Sequence, residues 1–425
     1  MQCERKLVST IGAFAVGVLA LAAPPSLAQD TAGFEQQLTL TLNSEARYMA
    51  YRTRIATPSN TTHQGYQFYL PFGTQAEARL GDAAKLDFTV RSGWVRTHNK
   101  TTFGTGVTQT SDIDTWTDTS ISTTANFNAI AGIQPFVQLS VNLPTGRANL
   151  GQNSRARVDS DTVELPTYGE GVNWAPTVGV NIPISQAAMI SLGLGYTNRG
   201  AFDREAATVG LAGQPQIARL DPGNVTTYNI GLGYQQGPFA FQGSAAYSTE
   251  TETTFDDQPF YKSGDRYMLS GAVGYSWNQY WASRINTSFS HFGKNNIRDT
   301  VPPNLLITEA LNSNSNVYKV NIDSSYTEGA WSIGPTLGYV YRDQNAWSPT
   351  EQRFLPAKTS WSLGGVTQWN VTGKASVNAR VERLWITEDD NPNKIIGGPP
   401  PIPGSGTPEQ KTDVWVFSLG GTIKF

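Results

Sequence analysis

Apolar and polar side chains alternate along almost the whole chain, from Leu38 to the terminal Phe425. Leu38, Leu40 and Leu42 are separated by Thr39 and Thr41, while Val137, Leu139, Val141 and Leu143 enclose Gln138, Ser140 and Asn142. Tyr228, Ile230, Leu232 and Tyr234 enclose Asn229, Gly231 and Gly233; Tyr318, Val320 and Ile322 enclose Lys319 and Asn321. Successive residues of a strand point to opposite faces, so each run makes a strand with one apolar and one polar face. No helical periodicity is sustained anywhere.

The connections alternate as well. Short ones fall near 81–85, 128–134, 185–188, 235–238, 278–279, 328–329 and 370–373. Longer ones fall near 54–65, 97–113, 144–175, 199–225, 251–265, 293–316, 342–358 and 387–412. This rhythm predicts an all-β fold: a transmembrane antiparallel up-and-down β-barrel of about sixteen strands, with short periplasmic turns and long extracellular loops. The cause is solvation. Hydrocarbon offers no partner to a backbone N–H or C=O, so strands must pair in a closed ring. Only alternate residues then meet lipid, which reconciles 39% hydrophobic residues with a membrane location. Tyr275, Trp277 and Trp281 bracket one short turn, Trp331 follows another and Trp369 precedes a third. Amphipathic rings gather at membrane–water interfaces, so these mark one girdle.

Composition narrows the alternatives. With 15% charged and 11% aromatic residues the chain is not of the disordered class. A net charge of −3 gives no basic face for phosphates, so no nucleic-acid partner is expected. Residues 1–28 read as a secretory signal peptide: Arg5 and Lys6, an apolar run from Val8 to Ala23, then Ser26-Leu27-Ala28 before Gln29. Its removal takes away Cys3, the single cysteine, and with it disulfides and thiolate metal sites. Residues 29–425 are expected to be one barrel domain.

The final strand, Phe417, Leu419, Gly421, Ile423 and Phe425, ends in an aromatic residue. Here the chain resembles Gram-negative outer-membrane barrel proteins, whose terminal aromatic is read by the assembly machinery. The resemblance implies the outer membrane as location, and membrane lipids and that machinery, through Phe425, as partners. Trimers are common among sixteen-stranded porins, so a homotrimer is the oligomer it implies, although no interface stands out in the alternation.

Sixteen tilted strands enclose a ring roughly 30 Å across, too wide for wall side chains to fill. Residues 29–36 are too few for a plug domain, and the longest loop, about 144–175, is the candidate constriction. It carries Asp159, Asp161, Glu164 and Glu170 beside Arg147, Arg155 and Arg157. Its stretch Glu164–Gly171 resembles the porin pattern of acid, aromatic and glycines, in which a third loop folds inward and presents carboxylates to wall arginines. The same region, Leu143-Pro144-Thr145-Gly146 followed by Gly169–Val180 with Pro176 and Gly179, also resembles outer-membrane channels associated with aromatic-degradation (phenol meta-) pathways. On the lumen face the alternation places Glu45, Arg47, Glu77, Arg79, Asp87, Arg91, Arg380 and Glu382, one sector of inner wall. Arginines facing carboxylates across it would order water and sort solutes by charge. Gly193, Gly195, Gly231, Gly233 and Gly274, with Ser276, are the expected seat of the third loop.

Catalytic chemistry is not expected. His63 and His98 lack an evident acid–nucleophile pair, and Ser290 and His291 must point to opposite faces. No cofactor is expected. Asp159-Ser160-Asp161 and Asp256-Asp257 have the composition of cation-binding loops but more commonly are solvated. The function expected is a passive channel for small solutes; the alternatives are a selective channel for aromatic or hydrophobic compounds and a structural or adhesive barrel with a blocked lumen.

Overall fold

The computed structural model describes residues 38–425 apart from 56–60, 82, 129, 131, 148–168, 210–214, 299–304, 352 and 393–407. The expected signal peptide lies outside the described residues, as do Arg155, Arg157, Asp159, Asp161 and Glu164.

Alternation becomes strand almost wherever it occurs. The chain enters through β1 (Leu38–Ile55), β2 (Thr62–Leu80), β3 (Ala84–Thr102), β4 (Thr108–Trp116), β5 (Thr119–Phe127) and β6 (Gln134–Leu143). It continues through β7 (Asn173–Pro183), β8 (Ala188–Thr197), β9 (Phe202–Val209), β10 (Pro215–Asp221), β11 (Val225–Gln236) and β12 (Phe239–Glu250). Then come β13 (Thr253–Phe255), β14 (Gln258–Lys262), β15 (Arg266–Ser276), β16 (Trp281–Phe292), β17 (Asn296–Arg298) and β18 (Leu306–Thr308). The last are β19 (Val317–Glu328), β20 (Trp331–Arg342), β21 (Lys358–Thr372), β22 (Ala375–Glu388) and β23 (Gln410–Lys424).

Seventeen of these form one antiparallel sheet closed by β1 on β23, with Met49 opposite Val416 and Arg47 opposite Ser418. Phe425 completes the seam, its N–H donating to Leu40 O at 2.8 Å. β4 and β5 occupy one place in the ring, both pairing with β3, so the wall has sixteen strands. Between them, at Thr117-Asp118, the alternation slips by one residue. Ile113 and Thr115 face inward before the slip, and Ser120 and Ser122 face inward after it. Such a slip is a β-bulge, and it re-aims the side chains that follow.

Outside, Leu192, Leu194, Ile230, Leu232, Leu269, Leu337, Leu363 and Leu419 stand exposed on six of the strands. That apolar band identifies a transmembrane barrel, since water would not tolerate so large a patch on a monomer. Trp331 and Trp369 stack at 5.2 Å beside the short turns.

Two expectations need correction. The loop expected over 97–113 is mostly strand, because β3 and β4 run on to a tip at 103–107. Also, three long loops are not irregular: β9, β10, β13, β14, β17 and β18 pair into a second, six-stranded sheet at the long-loop end.

Candidate functional site

The barrel interior is where the chain places its unusual chemistry. Strand pairing sets Glu45, Arg47, Glu77, Arg79, Asp87, Arg91, Arg380 and Glu382 on the inner parity of β1, β2, β3 and β22. Their pairing is local and does not run across the lumen. Arg47 meets Glu45 two residues back on its own strand at 3.3 Å, and Arg380 meets Glu382 likewise at 2.8 Å. Glu77 and Asp87 are taken by Lys85, at 3.0 and 3.4 Å, a residue the sequence reading did not select. Strand neighbours on one face stand two residues apart, so a long arginine reaches its own-strand carboxylate at low cost. Glu45, Arg47, Arg380 and Glu382 border a concave region of about 470 Å³, together with Gln368 and Asn378.

Towards the long loops this wall turns apolar. Met49, Leu384, Ile386, Val414 and Val416 form a cluster on the inner side of β1, β22 and β23, with Tyr51 packed against it. Val95 and Ile113 form a second, with Tyr69. Met49, Val95, Ile113 and Val414 are each 1% exposed although they face inward. Tyr51 lies over Gly65 and Tyr69 over Gly93; a Cβ added at either glycine would meet the ring at 2.8 Å or closer. Glycine is required there because an aromatic face occupies the place of its side chain. The interior is thus a sealed, packed layer on one side. On the other, Arg284, Lys319 and Asn321 remain exposed.

The signal for the sealed layer was present in the sequence. Val414-Trp415-Val416-Phe417 and Leu384-Trp385-Ile386 are apolar on both faces. A strand apolar on both faces is buried on both.

At the bulge, Asp118 is 6% exposed. Its carboxylate accepts the backbone N–H groups of Gly146 at 2.9 Å, Gly169 at 3.0 Å and Glu170 at 3.2 Å, and the Asn142 side-chain amide at 3.1 Å. Arg147 N–H donates to the inward-facing Thr115 hydroxyl at 3.1 Å, and the Thr145 hydroxyl to Thr117 O at 3.0 Å. Both stems of the third long loop are therefore fastened to the inner side of the wall. Of the residues proposed on that loop, Arg147 and Glu170 are described, and both sit in these stems. No sequence signal pointed to Asp118, because its role depends on a phase slip.

The segment 148–168 that the glycine face was expected to seat lies outside the described residues. A Cβ added at Gly193 would meet Asn229 Cβ at 3.8 Å and Phe136 Cζ at 3.9 Å, and one at Gly274 would meet Ala240 Cβ at 3.8 Å, which are ordinary contacts within the wall.

The histidines have ordinary partners. His98 Nδ1 lies 2.6 Å from Asp112 Oδ1 on the outer face, an acid the sequence reading did not assign to it. His63 bonds Thr101, and His291 bonds Asn316. Ser290 pairs with Met268 and His291 with Tyr267, placing the two on opposite faces. Asp256 and Asp257 form the β13–β14 turn, with Asp256 accepting Arg219 N–H at 2.9 Å. At the rim, burial and the neighbouring Asp390, Glu409 and Glu388 push the Asp389 carboxyl up.

No protein-family model and no curated protein sequence matches this chain. Among solved structures it is similar to an anion-selective porin from Comamonas acidovorans, at 12% identity and TM-score 0.40, covering 92% of this chain and 100% of that one. It is also similar to OprB of Pseudomonas putida, at 11% identity and TM-score 0.42, over 92% and 94% of the two chains. A mutant of the monoaromatic hydrocarbon channel TodX gives 10% identity and TM-score 0.41, over 92% and 91%. At these identities and scores nothing about a solute follows.

Proposed function

We propose that the protein is an outer-membrane channel through which small solutes pass down their gradient, with the third long loop narrowing the lumen. The observation that carries this is the Asp118 anchorage. The described stems of that loop are fastened to the inner wall by a buried carboxylate, which supports an inward course, whereas an external loop needs no such tether. Charge-assisted hydrogen bonds of this kind contribute about 1.5–3 kcal/mol each, enough to hold one loop position. No bond is made or broken; the chain sorts solutes by size and charge. The short turns are assigned to the periplasm, the long loops and their six-stranded sheet to the cell exterior, and Phe425 to recognition during assembly. Membrane lipids and small solutes are its partners on this reading, with a homotrimer as the assembly to test.

Single-channel recording in planar bilayers tests it. The expected result is stable conductance steps, with larger and noisier steps for Asp118→Ala. Charge reversal at Asp159 and Asp161 is expected to change ion selectivity. A folded protein that gives no steps overturns the reading.

One observation favours a second reading. The six-stranded sheet is more ordered than a channel requires, and suits a surface barrel whose outer face does the work. The apolar interior does not favour a hydrophobic-solute channel, because its residues are sealed.

A further inference from the structure

From the pairing of charges inside the barrel we infer that the channel prefers small anions, an inference that rests on the channel reading above. The chain as a whole is acidic, at −3, so net charge points the other way. What a solute meets, however, is the inner wall and the loop that narrows it, and the wall is where the described charges stand.

Among the described residues, every carboxylate on the inner face of the barrel strands except Asp323 has a basic group within 3.9 Å. Glu250, for one, is held by Arg199. The bases are not matched in the same way. Arg79, Arg91 and Lys319 are exposed on the inner face with no ion-pair partner among the described residues. Arg284 is exposed too and donates to the neutral Gln242 amide at 3.2 Å. Asp323 stands opposite it in register and accepts from Asn286 instead. Lys85 serves both Glu77 and Asp87, so after pairing two negative charges remain, one in that trio and one on Asp323, against the four cations Arg79, Arg91, Arg284 and Lys319.

Position strengthens the surplus. Arg91 leans across Gly73, whose absent side chain leaves its Cγ room at 3.5 Å from where a Cβ would lie. Lys319 lies on the open side of the lumen, between Ser288 and Val340 in register. The sealed apolar clusters belong to β1, β22 and β23 and to β3 and β4, whereas Arg284 and Lys319 stand on β16 and β19, away from them. Low-dielectric walls focus the field of such charges into the water between them. Screening acts over about 10 Å in 0.1 M salt, which reaches across a narrowed passage and not across an open ring.

The test is the reversal potential of the reconstituted full-length mature protein across a potassium chloride gradient. The expected result is a chloride-to-potassium permeability ratio above unity. The pair Arg91→Glu and Lys319→Glu is expected to lower that ratio by about twofold or more. Arg96→Glu, on the outer face, is expected to leave it unchanged and controls for charge in general. If charge reversal prevents folding, Arg91→Gln with Lys319→Gln should give a smaller shift in the same direction. A ratio at or below unity in a conducting protein overturns the inference and leaves the channel standing. So does a folded double variant with an unchanged ratio. Absence of conductance removes the channel reading itself, and the inference with it.

Discussion

Asp256 and Asp257 occupy the turn of the β13–β14 hairpin with φ of 48° and 61°. Two consecutive left-handed residues are what a two-residue hairpin turn of the twisted sheet demands, and they disfavour any residue with a Cβ. Asp256 is compensated by its bond to the Arg219 N–H, whereas Asp257 makes no such bond among the described residues. Asp257→Gly is therefore expected to stabilise the outer sheet by about 0.5–1 kcal/mol. Hydrogen exchange over residues 253–262 should slow accordingly; faster exchange would mean that the aspartate itself holds the turn. The opposite logic governs Gly65. A Cβ there would lie 2.1 Å from His98 O and 2.6 Å from the Tyr51 hydroxyl, so Gly65→Ala must move backbone as well as ring. Its expected cost is about 1–3 kcal/mol, seen as unfolding at lower denaturant, with Tyr51→Ala recovering only the part that the ring contributes.

At the scale of the strand, phase matters more than hydrophobicity. Thr117-Asp118 adds the residue that lets β4 and β5 share one place in the ring with opposite parity. Deleting Thr117 removes the extra residue, so β4 and β5 can pair with β3 as one regular strand while Ile113, Thr115, Ser120 and Ser122 keep their inward faces. What is lost is the Thr117 carbonyl that accepts from Thr145 and the bulged backbone that aims Asp118 at the loop stems. The variant is therefore expected to keep the heat-modifiable folded band that assembled barrels give in gels, and to show the noisier conductance of Asp118→Ala. Loss of the band would show that the bulge is needed for the barrel to close. This element also shows why some of the architecture was readable and some was not. Alternation and turn spacing are local, so β6–β8 and β19–β23 stand where the periodicity of residues 134–197 and 317–425 puts them. A one-residue slip leaves both halves alternating while destroying the common phase, so the Asp118 anchor had no visible signature. The six-stranded outer sheet escaped for another reason: β13, β17 and β18 are three residues each, too short to carry a period. On the candidate site, parity alone placed Arg47 and Arg380 inward. Which carboxylate each would choose depended on side-chain reach, and Lys85 was missed at the edge of a turn.

For the whole molecule, the decisive quantity is its orientation across the bilayer, because every proposed role assumes that the long loops face outward. The two ends differ physically. The short-turn end carries the stacked Trp331–Trp369 pair and Tyr275 against Trp277, rings suited to a bilayer interface. The far end carries strands that outrun the membrane: β1, β2 and β3 are 18 or 19 residues long, against 10 or 11 for β6, β7 and β8. About ten residues cross the hydrocarbon at the usual tilt, so the surplus on β1–β3 stands in water at the long-loop end. Polar loops and a projecting sheet are easily left on the outer surface, while short turns need little space on the inner side. Since residues 29–425 contain no cysteine, a single introduced thiol reports position without background. Asp257→Cys, at the tip of the β13–β14 hairpin, is expected to react with a membrane-impermeant maleimide on intact cells. Gly329→Cys, in the turn between β19 and β20, is expected to react only after the outer membrane is opened. The reverse pattern would invert the barrel and put the anchored loop on the periplasmic side. Labelling at both sites in intact cells would mean that the reagent passes the membrane, a result that a size series of maleimides separates from inversion by the mass at which reaction at residue 329 stops.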